Sequence, residues 1–224
     1  KRAPRFDPAT GMTALETVRV SQASADQRRG RAGRQGPGLC VRLWPEQEMR
    51  ALKAHDEPEI LIADLAPLAL ELANWGVKDA GALRFLDPPP TATFAQARDL
   101  LSELDALDAA GAVTAMGKMM ARLPLHPRLA HMIARAHDHK TGAMAADLAA
   151  LLSERDLLGR EAGADLGERL AALRRGNASK AVRERVKAAA RQIRGIADIR
   201  DEDSDVTPGV LVALAWPDRI AQAR

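Results

Sequence analysis

Residues 27–34 read QRRGRAGR, four arginines and two glycines in eight positions, introduced by SQASAD. Arginine is the side chain best suited to gripping phosphate, because its planar guanidinium stays charged and offers its donors in a fixed fork. Most basic runs are solvated helix faces, but the glycines argue against that here. Gly30 and Gly33 would each cost a helix about 1 kcal/mol relative to alanine. Both also remove bulk beside the arginines, so that another body can come close. Arg31 and Arg34 are three apart and are expected on one helix face, with Gln27 one turn earlier. That arrangement is a one-sided grip for a multiply charged phosphate.

The other candidate chemistries are thinner. GAVTAMGKM (111–119) imitates a phosphate-binding loop, but five residues separate its glycines and Met119 stands where a Ser or Thr should be. No G-x-x-x-x-G-K-[ST] and no D-E-x-H run occurs in the sequence. HDH (137–139) and His131 invite a metal, yet His137 and His139 would point about 200° apart on a helix. No cysteine or paired carboxylate completes a shell there, and no metal site is expected. No G-x-S-x-G elbow supports a serine nucleophile. Cys40 is the single cysteine, which excludes an internal disulfide framework. Within GLCVRLW it reads as a small core residue.

These residues sit in a chain of 224 residues that is 46% hydrophobic and 28% charged, an ordinary globular balance. Aromatics are 3% with no Tyr, so Leu, Ala, Val and Ile must fill the core, a composition that favours helix. The net charge of +3 and a pI near 9.3 point to a local basic surface and not to a uniformly cationic protein. No apolar run approaches the roughly 20 residues of a membrane span, and no signal peptide opens the chain. Asn177 matches a glycosylation acceptor, but nothing else points to secretion, and a cytoplasmic location without membrane contact is expected. The chain starts KRAPRFDP without Met and stops at WPDRIAQAR, which reads as a segment of a longer protein.

The elements expected to position the arginine run come first. Turn signals at Asp7-Pro8 and Thr10-Gly11 predict a β-hairpin over 5–20. Ser24 is expected to cap the helix that follows, with Gln27 closing a capping box. GRQGPG ends that helix, and LCVRLW (39–44) reads as a strand, so residues 1–47 look like the end of an α/β domain. Residues 48–122 fit a winged-helix unit. The unit holds an apolar segment at 58–75, the rigid linker LDPPPT (86–91) and a helix capped by Thr93 with Leu100, Leu101, Leu104 and Leu107 on one face. It closes with Gly111 at that helix's end, a short AVT strand and a helix capped by Thr114. Residues 123–205 read as a helical bundle. Pro127 starts one helix with Leu129, Met132 and Ile133 inward, and Thr141 caps the next with Met144, Leu148, Leu151 and Leu152. After a glycine-broken charged stretch comes a helix with Val182, Val186, Ala189, Ile193 and Ile196 on its apolar side. Its cations, Arg183, Lys187 and Arg191 among them, form either a solvated face or the lining of a nucleic-acid channel. No aromatic platform accompanies them, so any such contact would be to backbone phosphates. Residues 206–224, with Thr207 as cap and Pro208 in the first turn, open a further segment.

SADQRRGRAGR resembles motif VI of the DEAH-type superfamily 2 helicases, Q-R-x-G-R-x-G-R, at every fixed position. The resemblance runs on through RFDPATGMTALETVRVSQASA, similar to the family's protruding β-hairpin, and through PEILIADLAPLALELANWGVKDAGALRFLDPPP, similar to its winged-helix entry. ARDLLSELDALDAAGAVTAMGKMMARLPLHPRLAHMI is similar to the junction with the helical ratchet domain, and LVALAWPDRIAQAR narrows the likeness to the bacterial HrpB-like branch. The fold so implied is mainly α: the end of a RecA-like α/β domain, a winged helix and a ratchet-like bundle. The resemblance implies that Gln27, Gly30, Arg31 and Arg34 face ATP, with Arg31 and Arg34 as arginine fingers. It also implies that ATP and Mg²⁺ are held mainly by an N-terminal part outside this chain, without which the fragment should not hydrolyse ATP. Arg5 and Thr10 of the hairpin, with Arg183, Lys187 and Arg191, are the implied nucleic-acid contacts. Single-stranded RNA is favoured as the partner, with DNA left open, and translocation is expected to run 3′ to 5′. The rival reading is a non-enzymatic winged-helix adaptor for nucleic acid or protein.

Overall fold

The computed structural model describes residues 1–8, 10–138, 140–159, 162–176, 179–200 and 206–220; Asn177 and His139 fall outside them. Among the described residues the elements run β1 (Arg2–Asp7), β2 (Met12–Thr17), α1 (Gln22–Ala32), α2 (Glu46–Ala51), α3 (Ala66–Asn74), α4 (Thr91–Glu103), α5 (Ala115–Ala121), α6 (Pro127–Asp138), α7 (Gly142–Ser153), α8 (Leu166–Arg175), α9 (Lys180–Ile196) and α10 (Pro208–Ala215). Short 3-10 turns lie at Glu59–Leu61, Ala80–Ala82 and Pro217–Arg219. The chain is mainly helical, as its Ala and Leu content predicts. It divides into two compact units, Lys1–Leu65 with Asp79–Gln96, and Ala66–Lys78 with Ala97–Arg224.

In the first unit β1 and β2 form the expected hairpin, antiparallel, with Arg2 opposite Thr17 and Asp7 opposite Met12, so that it starts and ends three residues earlier than the predicted 5–20. Gly11 closes the connection at φ 60, its N–H donating to the Asp7 carbonyl at 2.8 Å. That left-handed conformation is one glycine adopts freely. The hairpin is tied down by the Phe6 N–H donating to the Ile62 carbonyl at 3.0 Å. Helix α1 starts earlier than expected. Ser21, not Ser24, is the N-cap: its backbone is extended and its Oγ accepts the Ser24 N–H at 3.0 Å. Ser24 lies inside the first turn, where its own N–H is one of the orphan donors that the cap satisfies.

Three further expectations fail here. Residues 39–44 form no strand, and Cys40 is exposed. A strand needs a hydrogen-bonded neighbour, and among the described residues β1 and β2 alone pair as a sheet. In place of a strand, the segment leaves Leu39, Val41 and Leu43 exposed and Arg42 and Trp44 half-buried. Helix α4 begins at Thr91, so Thr93 lies within its first turn and is not the cap; the Phe94 N–H donates to the Pro90 carbonyl at 2.9 Å. Residues 86–90 of LDPPPT are non-helical as expected, since the prolines cannot continue a helix, and its last residue, Thr91, opens α4.

The second unit is built around α7. Ala145, Ala146, Ala149 and Ala150 are fully buried together with Leu148, and these small side chains let α6, α8, α9 and α10 approach it closely. Leu129, Met132 and Ile133 of α6 are buried as predicted, as are Val186 and Ile193 of α9. Leu152 is not; it is exposed at the end of α7. Thr141 precedes α7 but gives it no side-chain cap; its hydroxyl donates to the Ala136 carbonyl at 3.1 Å instead. Helix α8 lies in the stretch that looked broken, with Asp165 as N-cap and Gly176 as a left-handed C-cap.

At the winged-helix end, Leu101, Leu104 and Leu107 are buried and Leu100 half-buried. The expected AVT strand reduces to one bridge, Leu107 to Val113, around a tight turn. Gly111 belongs to that turn, at φ 72, and does not end α4; Asp105 takes the left-handed position after it. Arg98 lies over Gly111 and donates to its carbonyl at 3.4 Å and to that of Lys78 at 3.2 Å. Thr114 caps α5 as predicted, its Oγ1 accepting the Gly117 N–H at 3.0 Å. Gly117 is buried so tightly that an added Cβ would meet the Ala106 carbonyl oxygen at 2.3 Å. The loop-like GAVTAMGKM is therefore a turn and a packed helix, with no open cradle for phosphate.

Candidate functional site

The arginine run forms the far end of α1. Its near end is well anchored: the Gln22 and Ala23 N–H groups donate to the Lys53 and Ala54 carbonyls at 2.9 and 3.0 Å. The Gln22 side-chain amide reaches the Leu52 carbonyl at 2.9 Å. Ser21 is buried, and the Lys1 ammonium, with hydrogen bonds from Ser21, holds the Asp56 carboxyl below its ordinary range. Beyond Ala25 the helix has no buried residue, and Gln27 through Arg34 are all exposed.

Gln27, Gly30 and Arg31 lie in α1, but the helix stops at Ala32 with Gly33 as C-cap. Arg34 therefore sits in the following turn, and the shared helix face expected for Arg31 and Arg34 does not exist. The physical reason is the glycine-rich return: Gly38 passes so close that a Cβ there would fall 1.9 Å from the Ala32 carbonyl oxygen. Among the described residues Arg28, Arg31 and Arg34 make no ion pair, and Arg29 has one long contact, 3.8 Å to Asp26. Nothing lies within 4 Å of where a Cβ on Gly30 would be. The chain's own packing thus gives no reason for that glycine. What the run offers is positive charge and N–H donors, which fit phosphate oxygens and give a divalent cation nothing to bind.

The other predicted residues are spread over both units. Arg5 is exposed in β1 opposite Ala14, and Thr10 sits in the hairpin connection with its hydroxyl donating to the Asp7 carboxylate at 2.9 Å. In the second unit, Lys180, Arg183, Lys187, Arg191 and Arg194 follow one another at three- and four-residue steps along α9. Arg194 is engaged with α7, donating to Asp147 at 2.7 Å and to the Ala143 carbonyl at 3.1 Å. Arg183 is half-buried, its guanidinium over Gly176, where a Cβ would lie 2.4 Å away. Lys187 and Arg191 have no ion pair among the described residues. No three His, Cys, Asp or Glu side chains converge as a metal site among the described residues, and no described helix is long and apolar enough to cross a membrane.

Residues 97–125, the end of α4 through α5, match the winged-helix helicase associated domain HA2. ATP-dependent RNA helicase HrpB of Escherichia coli (strain K12) is 43% identical over 167 residues, 75% of this chain and 20% of that protein. The crystal structure of Escherichia coli DEAH/RHA helicase HrpB superposes over 100% of this chain and 27% of its own, with TM-score 0.79 and 37% identity. The chain belongs to the HrpB-like DEAH helicases. Probable ATP-dependent RNA helicase DHX34 of Mus musculus is a more distant relative, 38% identical over 128 residues, 57% of this chain and 11% of that protein. This HrpB-like chain thus spans a fifth or less of the curated relatives it matches.

Three groups in this HrpB-like chain escape sequence reasoning. The Asp26–Arg42 ion pair, at 2.5 Å, joins residues with no pattern between them. Arg128 is buried against Asp218, 90 residues away. His131 places Nδ1 2.7 Å from the Leu214 carbonyl. Helix α8, missed as well, did carry a readable signal: Asp165 before, Gly176 after, and Leu166, Leu170 and Leu173 between.

Proposed function

We propose that this chain is part of an ATP-dependent RNA helicase acting in the cytoplasm, and that its α1 end supplies the arginines that meet the nucleotide. Gln27, Arg31 and Arg34 would contact the γ-phosphate, and Gly30 would let the facing domain approach. The carrying observation is that Arg31 and Arg34 are exposed and without an ion pair among the described residues, beside a glycine that the chain's own packing does not need. When bound, ATP with Mg²⁺ would bring the phosphoryl group whose charge these guanidiniums balance; a positioned arginine there is worth about 10³–10⁵ in rate. The residues that hold the metal and the rest of the nucleotide would come from outside this chain, since it has neither of the two sequence motifs for that task.

The hairpin residues Arg5 and Thr10, with Lys187 and Arg191 on α9, would contact the backbone of a single RNA strand. Arg183 is the weaker member of that set, because it is tucked against Gly176. Replacing Arg31 by Ala in the full-length protein tests the assignment. ATP turnover should collapse while RNA affinity stays close to that of the unaltered protein. If affinity falls and turnover survives, the run is a nucleic-acid patch and the adaptor reading takes its place.

A further inference from the structure

We propose that Arg42, acting through Asp26, is a positioning residue for the arginine run; this rests on the reading of Arg31 and Arg34 as phosphate contacts. The backbone and Gln22 tethers of α1 all lie in its first turn, and none reaches residues 27–34. After Ala32 the chain folds back at Gly38, whose close pass over the Ala32 carbonyl leaves no room for a Cβ. Arg42 follows on the half-buried side of the returning segment, and its Nη2 donates to Asp26 Oδ1 at 2.5 Å.

Asp26 is the one carboxylate in α1, directly before Gln27 and five residues before Arg31. The pair does two things. It gives α1 a second, side-chain tether next to the run, so the helix end is not left to swing from its first turn while four guanidiniums repel one another. It also engages the Asp26 carboxylate at short range, leaving Arg29 with only the longer contact of 3.8 Å to it. Arg42 is 27% and Asp26 49% exposed, and a pair so open to water contributes little to stability. Orientation is the role left to it.

The test uses the full-length protein and steady-state ATP turnover in the presence of RNA. Arg42→Ala and Asp26→Asn should each lower kcat on the order of 10- to 100-fold, the scale of a small misplacement of a reacting group. KM for ATP and the melting temperature should stay close to the unaltered values. The double variant should be no worse than either single one, because both remove the same bond. Arg42→Lys, which keeps a charge on Asp26, should recover most of the rate. If Arg42→Ala does not fold, Asp26→Asn and Arg42→Lys carry the test. An unchanged kcat in Asp26→Asn overturns the proposal, and if Arg42→Ala is then slow, Arg42 itself touches the nucleotide. Turnover surviving Arg31→Ala defeats the underlying reading instead, so the two failures are distinct.

Discussion

Asp218→Ala should loosen α10 from the bundle without melting its centre. Arg128 is 7% exposed and makes three bonds to this segment: to Asp218 Oδ1 at 2.6 Å, Asp218 Oδ2 at 2.9 Å and the Ala215 carbonyl at 3.2 Å. Removing one partner of a fully buried pair costs about 3–5 kcal/mol, most of it the penalty on the stranded charge. Asp218 is one-third exposed, so water can reach the guanidinium, and about 2 kcal/mol is the sounder figure. If opening is local, that corresponds to roughly 30-fold faster amide exchange. The amides to follow are those of residues 212–216, 218 and 219, with α7 as the internal reference. Asp198→Ala, which breaks the exposed pair with Arg200, should leave them unchanged. Arg128 also holds the Asp218 carboxyl below its ordinary range. A depressed folded pKa means the contribution is complete above the unfolded carboxyl value and is lost as pH falls through the lower folded one. Protection should therefore persist to about pH 4 and fail below it. Equal exchange in Asp218→Ala and the unaltered protein would refute this account of how α10 is held.

His131 is buried, with Nδ1 set to donate to the Leu214 carbonyl and Nε2 accepting from Arg135 Nε at 3.3 Å, and burial pushes its pKa down. The unfolded state then binds the proton more readily, so urea midpoints should drop as pH falls below about 6.5, and His131→Asn should flatten that slope. The two contrasting glycines should respond in opposite directions. Gly117→Ala forces a Cβ onto a backbone oxygen at 2.3 Å and should cost about 2–3 kcal/mol in denaturant unfolding. Gly30→Ala meets nothing and should stabilise α1 by up to about 1 kcal/mol, yet lower ATP turnover in the full-length protein by obstructing the facing domain.

Local signals were the legible ones. Pro127 at a helix start, Thr114 as a cap, Gly11 in a hairpin and the buried stripe of α6 each follow from a few neighbouring residues. Ser24 failed as a cap because Ser21, also able to cap, has the extended backbone the position needs. Residues 39–44 failed as a strand because a short apolar run does not show whether a neighbour is present to pair with it. Arg31 and Arg34 were assigned to one face by assuming that the helix continued, whereas Gly33 to Gly38 turn it off at Ala32. The long-range polar contacts, Arg128 with Asp218 and Arg42 with Asp26, have no periodicity to betray them. They arise only when the fold brings distant residues together.

The central claim is that α1 presents its arginines to a nucleotide. Single-turnover ATP hydrolysis by the full-length protein, with Arg31→Ala compared with Arg31→Lys under saturating RNA, addresses it most directly. The account predicts a loss on the order of 10³-fold or more in Arg31→Ala, little recovery in Arg31→Lys because a lysine cannot reproduce the forked contact, and RNA affinity within about twofold at fixed salt. Turnover in Arg31→Ala close to that of the unaltered protein would contradict it.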